Sequence, residues 1–123
     1  MLTALASARA ADGVKTMITG AFSANMIYGN HISDFYTNYN AEPTNNTLTF
    51  TGSAQYTDTG HGILEIYGSY TNTADKDAQG NQTVIDNLTS NVPADIYGGY
   101  STSGAVTGNI VTVNKGTFGT SSG

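Results

Sequence analysis

The chain has 123 residues, enough for one domain, with a net charge of −5 and only 11% charged residues, against an ordinary share of ~25%. Arg9 is the only arginine and Lys15, Lys76 and Lys115 are the only lysines, so no basic patch is offered to a nucleic-acid backbone or to an anionic membrane surface. Cysteine is absent, which excludes disulfides and thiolate metal sites, and the Thr, Tyr, Val and Ile set between Gly- and Asn-rich turns reads as all-β.

Residues 1–11 (MLTALASARAA) are the only stretch with helical character. Its apolar part is too short to span a bilayer. Ala8-Arg9-Ala10 fits a small-x-small cleavage site. Two readings of residues 1–13 therefore stand together: the remnant of a secretory signal, or a short cap helix over the open end of a β-coil. Residues 14–22 (VKTMITGAF) alternate, with Val14, Thr16 and Ile18 on one face and Lys15, Met17 and Thr19 on the other. A first Ile-Tyr-Gly follows, and then a long polar loop at 30–45 carrying His31, Asp34, Phe35, Tyr36 and Tyr39. Residues 47–51 (TLTFT) predict a strand with Leu48 and Phe50 inward. The next strand, at 63–67, has Leu64 and Ile66 on one face and Ile63, Glu65 and Tyr67 on the other, with Glu65 toward solvent. A second polar loop covers 70–80. Val84 and Ile85 are expected inward, Pro93 breaks the chain, and 110–113 is a last strand with Val111 and Val113 inward.

Order emerges when the chain is laid against itself. Ile-Tyr-Gly occurs three times, from Ile27, Ile66 and Ile96, 39 and 30 residues apart. After each copy an Asn opens a strand-like run: Asn46, Asn81 and Asn109. Gly20-Ala21-Phe22 and Gly116-Thr117-Phe118 supply a third landmark, with residues 52–56 (GSAQY) as its middle version. Short fixed strands joined by elastic loops are what a coiled parallel β-stack produces, because each turn buries its apolar face only against its neighbours. The expected architecture is a parallel β-helix of about three coils, a single region over 14–123 with repeats near 14–52, 53–92 and 93–123, the last incomplete. Tyr28, Tyr67 and Tyr97, and likewise Asn46, Asn81 and Asn109, are expected to stack as structural ladders.

The C-terminal repeat resembles the Gly/Thr/Asn-rich units in the passenger regions of bacterial autotransporter-type surface proteins. The match runs in order through Ile96, Tyr97, Gly98, Gly99, Tyr100, Ser101, Ser103, Gly104, Thr107, Gly108, Asn109, Val111, Gly116, Thr117 and Phe118. The resemblance covers about 25 residues closely and the two upstream units loosely. It implies a right-handed β-helix, export, display on the bacterial cell surface and, often, adhesion. It also implies membrane contact only through a translocator region that this sequence does not contain.

Chemical candidates are few. Residues 75–86 (DKDAQGNQTVID) place Asp75, Asp77, Gln79 and Asp86 at positions 1, 3, 5 and 12 of a calcium-loop spacing, with Gly80 at 6. Against this, Gln82 stands where an apolar residue is wanted, Asp86 replaces the longer Glu, and no helices flank the loop. The expectation is a solvated loop with no bound metal and no cofactor. His31 and His61 lie in loops of different units, no Ser is framed as a nucleophile elbow, and the few cations leave little to neutralise a sugar acid. Asp34, Glu42, Asp58 and Glu65 could face one another across a glycosidase cleft, but their spacing does not say so. The tyrosine and asparagine rows could also bind glycans, while the loop aromatics Phe35, Tyr36, Tyr39, Tyr70 and Tyr100 are better placed to touch a partner. The leading reading is a structural or adhesive β-solenoid that binds a host-surface or matrix glycan or protein without turnover and self-associates through open coil ends. The alternative is a carbohydrate-active β-helix, a polysaccharide lyase or tailspike-like depolymerase.

Overall fold

The structure, a computed structural model, describes residues 13–30 and 42–120. All its regular elements are short strands, with no helix among the described residues. The first coil holds β1 (Lys15–Ile18), β2 (Ala21–Phe22) and β3 (Met26–Tyr28). The second holds β4 (Thr47–Phe50), β5 (Gln55–Tyr56), β6 (Leu64–Tyr67), β7 (Tyr70–Thr71) and β8 (Ala78–Gln79). The third holds β9 (Gln82–Ile85), β10 (Leu88–Ser90), β11 (Ala94–Tyr97), β12 (Tyr100–Ser101) and β13 (Val106–Thr107). β14 (Ile110–Val113) and β15 (Gly116–Phe118) begin a fourth. Each strand pairs in parallel with its counterpart one coil away, giving sheets β1-β4-β9-β14, β2-β5-β10-β15 and β3-β6-β11, and two-stranded ladders β7-β12 and β8-β13. The protein is thus a parallel β-solenoid of about three turns. The signal remnant or cap expected at residues 1–13 lies, apart from Gly13, outside the described residues.

Register explains the landmarks. The Ile-Tyr-Gly copies coincide: Ile27 pairs with Ile66 and Ile66 with Ile96, while Tyr28 pairs with Tyr67 and Tyr67 with Tyr97. Ile27 and Ile66 are buried inside the coil, and Ile96 packs partly buried on the same cluster. The glycine is fixed by contact. A Cβ on Gly29 would meet the Gly68 carbonyl oxygen, one on Gly68 the Gly98 carbonyl oxygen, and one on Gly98 the Asn109 side chain at 2.9 Å. Only a residue without a Cβ lets successive coils approach at this bend. The third landmark also stacks, as Phe22, Tyr56, Ser90 and Phe118, with Phe22 and Tyr56 rings 5.4 Å apart.

Inside the coils, Leu48, Phe50, Leu64, Ile66, Ile85 and Leu88 are wholly buried. Val84 departs from expectation. It pairs with Thr49 and Thr112 on the outer face and is half-buried, while Thr83 takes the inner position between Leu48 and Val111. Adjacent residues of a strand point to opposite faces, so Val84 and Ile85 could not both face inward. Thr83 is accommodated because its hydroxyl donates to the Tyr97 carbonyl at 2.8 Å. Val111 and Val113 do hold inward register positions, beside Thr83 and Ile85. They nonetheless remain 42% and 51% exposed, because β14 is the outer strand of its sheet.

Candidate functional site

An asparagine ladder, a double tyrosine ladder and one loop corner are the candidate features of the stack. The first ladder is asparagine. The Asn46 backbone N–H donates to Asn81 Oδ1 at 2.9 Å, and the Asn81 N–H to Asn109 Oδ1 at 2.9 Å; Val14 N–H donates to Asn46 Oδ1 at 2.8 Å at the lower end. The side-chain Nδ2 atoms of Asn46 and Asn81 reach the same oxygens at 3.1 and 2.9 Å. They also donate to the carbonyls of Glu42 and Pro43, and Asn109 Nδ2 donates to that of Ala78, at 2.8–2.9 Å. Every ladder amide is therefore occupied by the coils themselves. Asn46 and Asn81 are fully buried, so neither is offered to a glycan. The residue before each position is Gly13, Asn45, Gly80 or Gly108, and all four have left-handed φ between 58° and 77°. That conformation is open mainly to Gly and Asn. A (Gly/Asn)-Asn step is thus the full landmark, legible in the sequence as GN and NN pairs before 109, 81 and 46.

The second ladder is aromatic and double. Tyr67 stacks on Tyr97 at 4.8 Å with an interplanar angle of 4°, and Tyr28 lies over Tyr67 at 5.2 Å. Beside it Tyr70 stacks on Tyr100 at 5.0 Å and 4°, and Tyr28 stacks on Tyr70 at 4.8 Å. The two columns meet edge to face, Tyr67 to Tyr70 at 5.2 Å and Tyr97 to Tyr100 at 6.0 Å. Tyr67 is only 5% exposed although its strand position is on the outer face, because its neighbours in both columns cover it. Its hydroxyl donates to Glu65 Oε1 at 2.8 Å, and burial followed by that hydrogen bond raises its pKa well above the usual tyrosine value. Tyr70 and Tyr100, read from sequence as partner contacts, are brought into the structural columns instead of standing free in loops. Phe35, Tyr36 and Tyr39 lie outside the described residues.

The described stems of both variable segments meet at one corner, between the third sheet and the asparagine ladder. Asn30 and Tyr70 clasp their departure points: Asn30 Nδ2 donates to the Tyr70 carbonyl at 2.8 Å, and Tyr70 N–H donates to Asn30 Oδ1 at 3.0 Å. On return, Thr44 bridges Gln79 in parallel, and Lys76 Nζ lies 3.4 Å from Glu42 Oε2. The same corner recurs in the third coil, where Ser101 Oγ donates to the Lys76 carbonyl at 2.6 Å.

The calcium-loop spacing is not gathered into a site. Asp75 and Asp77 sit at the loop corner, and β9 lies between them and Asp86. Asp77 Oδ1 accepts the Ala105 N–H at 2.9 Å, Asp86 Oδ1 accepts from Asn114 Nδ2 at 2.7 Å, and Gln79 belongs to β8. Among the described residues no three His, Cys, Asp or Glu side chains converge. One cluster escaped the sequence reading. Asp58 accepts from the backbone N–H groups of Gly60, His61 and Gly62 at 2.9–3.1 Å and from the Tyr56 hydroxyl at 2.7 Å. The Gly62 N–H first, then the Tyr56 hydroxyl, hold its carboxyl down at about 2. Burial first, then Asp58, pushes the Tyr56 hydroxyl up to about 12. The signal was present as Asp-x-Gly-His-Gly, a carboxylate ahead of glycines that free the backbone to wrap it. His61 Nδ1 stands 3.6 Å from the same carboxylate and remains exposed.

No family model, no curated protein and no solved structure matches this chain.

Proposed function

We propose that this chain is a segment of an exported, surface-displayed β-solenoid of the autotransporter-passenger kind, right-handed, serving as a structural or adhesive surface that binds without turnover. The observation that carries the reading is the common corner at which the described stems of the two variable segments, 30–45 and 70–80, meet on successive coils, held by the Asn30–Tyr70 clasp and the Thr44–Gln79 bridge. A stack that gathers the stems of two length-variable segments at one corner is suited to contact there, since connecting segments vary while strands keep register. The disposition of the acids supports binding over chemistry: Asp58, Glu65, Asp77 and Asp86 each accept a hydrogen bond from the coils themselves. The partner class is a host-surface or matrix glycan or protein. The test is binding of the chain to panels of glycans and matrix proteins, with the 72–77 loop replaced by a short Gly/Ser linker as the variant. Loss of binding with unchanged melting is the expected result. Release of reducing sugar ends from a polysaccharide, abolished by one carboxylate substitution, would overturn the reading in favour of a depolymerase.

A further inference from the structure

We propose that the double tyrosine column is a site of oxidative cross-linking, at which a haem peroxidase with hydrogen peroxide joins the rings of Tyr67 and Tyr97 and so staples two coils covalently. The two residues are register partners on adjacent parallel strands, and their rings stack at 4.8 Å with an interplanar angle of 4°. That distance matches the ~4.8 Å between neighbouring strands. Identical residues in register project the same way from a sheet, so the hydroxyl-bearing ends of the two rings lie together.

Tyr67 is also the ring best placed to be oxidised. A phenol that loses an electron becomes a strong acid, and its proton needs a base in contact. The Tyr67 hydroxyl already donates to Glu65 Oε1 at 2.8 Å. The ring is only 5% exposed, so the oxidant acts through its neighbours. Tyr70 and Tyr100 are half-buried and meet Tyr67 edge to face at 5.2 and 5.6 Å. An electron taken from either ring is replaced from Tyr67 across these contacts. Tyr56 has the base without the column. Its hydroxyl donates to Asp58 at 2.7 Å, but its register partners are Phe22 and Ser90, so oxidation there finds no tyrosine in the neighbouring rungs.

The step balances. Tyr67 and Tyr97 each give one electron to the peroxidase and one hydroxyl proton to a base, Glu65 for Tyr67 and water for Tyr97. The two phenoxyl radicals then form a carbon–carbon bond between ring positions next to the hydroxyls. The hydrogens on those carbons move to the oxygens and restore both phenols. The two electrons and two protons reduce one peroxide to two waters.

The chain's few lysines make the product easy to read. Trypsin cuts after Lys76, leaving Tyr67 in peptide 16–76 and Tyr97 in peptide 77–115. The full chain is treated in dilute solution with a haem peroxidase and hydrogen peroxide, then digested and weighed. The expected product is a monomer in which these two peptides are joined, two hydrogens lighter than their sum, with fragmentation placing the bond at Tyr67 and Tyr97. Tyr67→Phe and Glu65→Gln should each lower its yield several-fold. Glu65→Gln should melt like the parent, because its amide oxygen still accepts the Tyr67 hydroxyl. Tyr56→Phe should leave the yield unchanged, and unfolding in urea should remove the preference for this pair. A bond placed at other tyrosines, links chiefly between chains, an equal yield from the unfolded chain, or a yield indifferent to Glu65→Gln would each overturn the proposal.

Discussion

Replacing Asn81 with alanine tests whether the asparagine ladder holds the coils together or merely decorates them. Asn81 Oδ1 is the acceptor for the buried Asn46 N–H, and its removal leaves that donor without a partner. An orphaned buried donor costs about 1–3 kcal/mol. The side chain's own bonds to the Pro43 carbonyl and to Asn109 Oδ1 add roughly 1 kcal/mol net. The neighbours are partly compensated: the Pro43 carbonyl still accepts from Gln79 N–H at 3.3 Å, and Asn46 Nδ2 keeps the Glu42 carbonyl. The expected loss is therefore about 2–4 kcal/mol, dominated by one backbone N–H. Asn109→Ala removes an equivalent acceptor at the less buried end of the stack, and should cost less. Urea melts followed by circular dichroism give the stability, and amide hydrogen exchange at Asn46 gives the site. A loss below about 0.5 kcal/mol, or an Asn46 amide that exchanges no faster in the variant, would refute the reasoning.

Gly68→Ala should destabilise by about 2–4 kcal/mol, because the new Cβ meets the Gly98 carbonyl and lies 2.8 Å from Thr83 Oγ1, whereas Gly20→Ala, with open space around it, should stay within about 0.5 kcal/mol; thermal melts of the pair decide this. At acid pH, Asp58 has a folded pKa of about 2, below its ordinary 3.8, so its contribution is present above 3.8 and is lost as pH falls through about 2. Melts between pH 4.5 and 2 should show that loss in the parent and a flatter profile in Asp58→Asn. At alkaline pH, Tyr56 has a folded pKa of about 12, above its ordinary 10.0, and Tyr67 is raised in the same direction. Their stabilisation is full below 10 and declines as pH rises through about 12. Tyrosinate absorbance should therefore climb together with unfolding, and a Tyr56→Phe, Tyr67→Phe chain should resist higher pH.

What the sequence revealed of the fold lies in residues whose backbone role is local. Ile-Tyr-Gly was legible because three demands fall on adjacent positions: an inward Ile, an outward Tyr and a Gly where coils nearly touch. The Asn positions were legible, but their purpose as acceptors for the neighbouring coil's N–H was only implied by the idea of a ladder, and the left-handed residue before each was overlooked. Val84 was misplaced because the inner position went to a threonine, and a lone Thr declares itself inward only through the Tyr97 carbonyl it reaches across the corner. Tyr70 and Tyr100 were read as loop aromatics because each lies three residues past a ladder tyrosine, a distance at which sequence does not reveal that the chain bends back. The Asp58 cluster is assembled within five residues, yet its meaning depends on Tyr56 reaching the same carboxylate from an inward strand position.

The tyrosine columns constrain where a ligand can be met. Sugar rings and aliphatic groups gain most from an aromatic by covering its face, yet Tyr67 and Tyr70 stack on Tyr97 and Tyr100 at interplanar angles of 4°, and Tyr28 stacks on Tyr70 at 15° and lies tilted at 59° against Tyr67. Such columns expose ring edges and hydroxyls, and at Tyr67 even the hydroxyl is committed to Glu65. The asparagine ladder is closed in the same way, its donors and acceptors turned along the stack. A surface that spends its aromatic faces and amides on its own coils is poorly equipped to stack on a glycan along its flank. Under the binding reading proposed above, contact is left to the loop corner, where the chain leaves the ladder between β7 and β8.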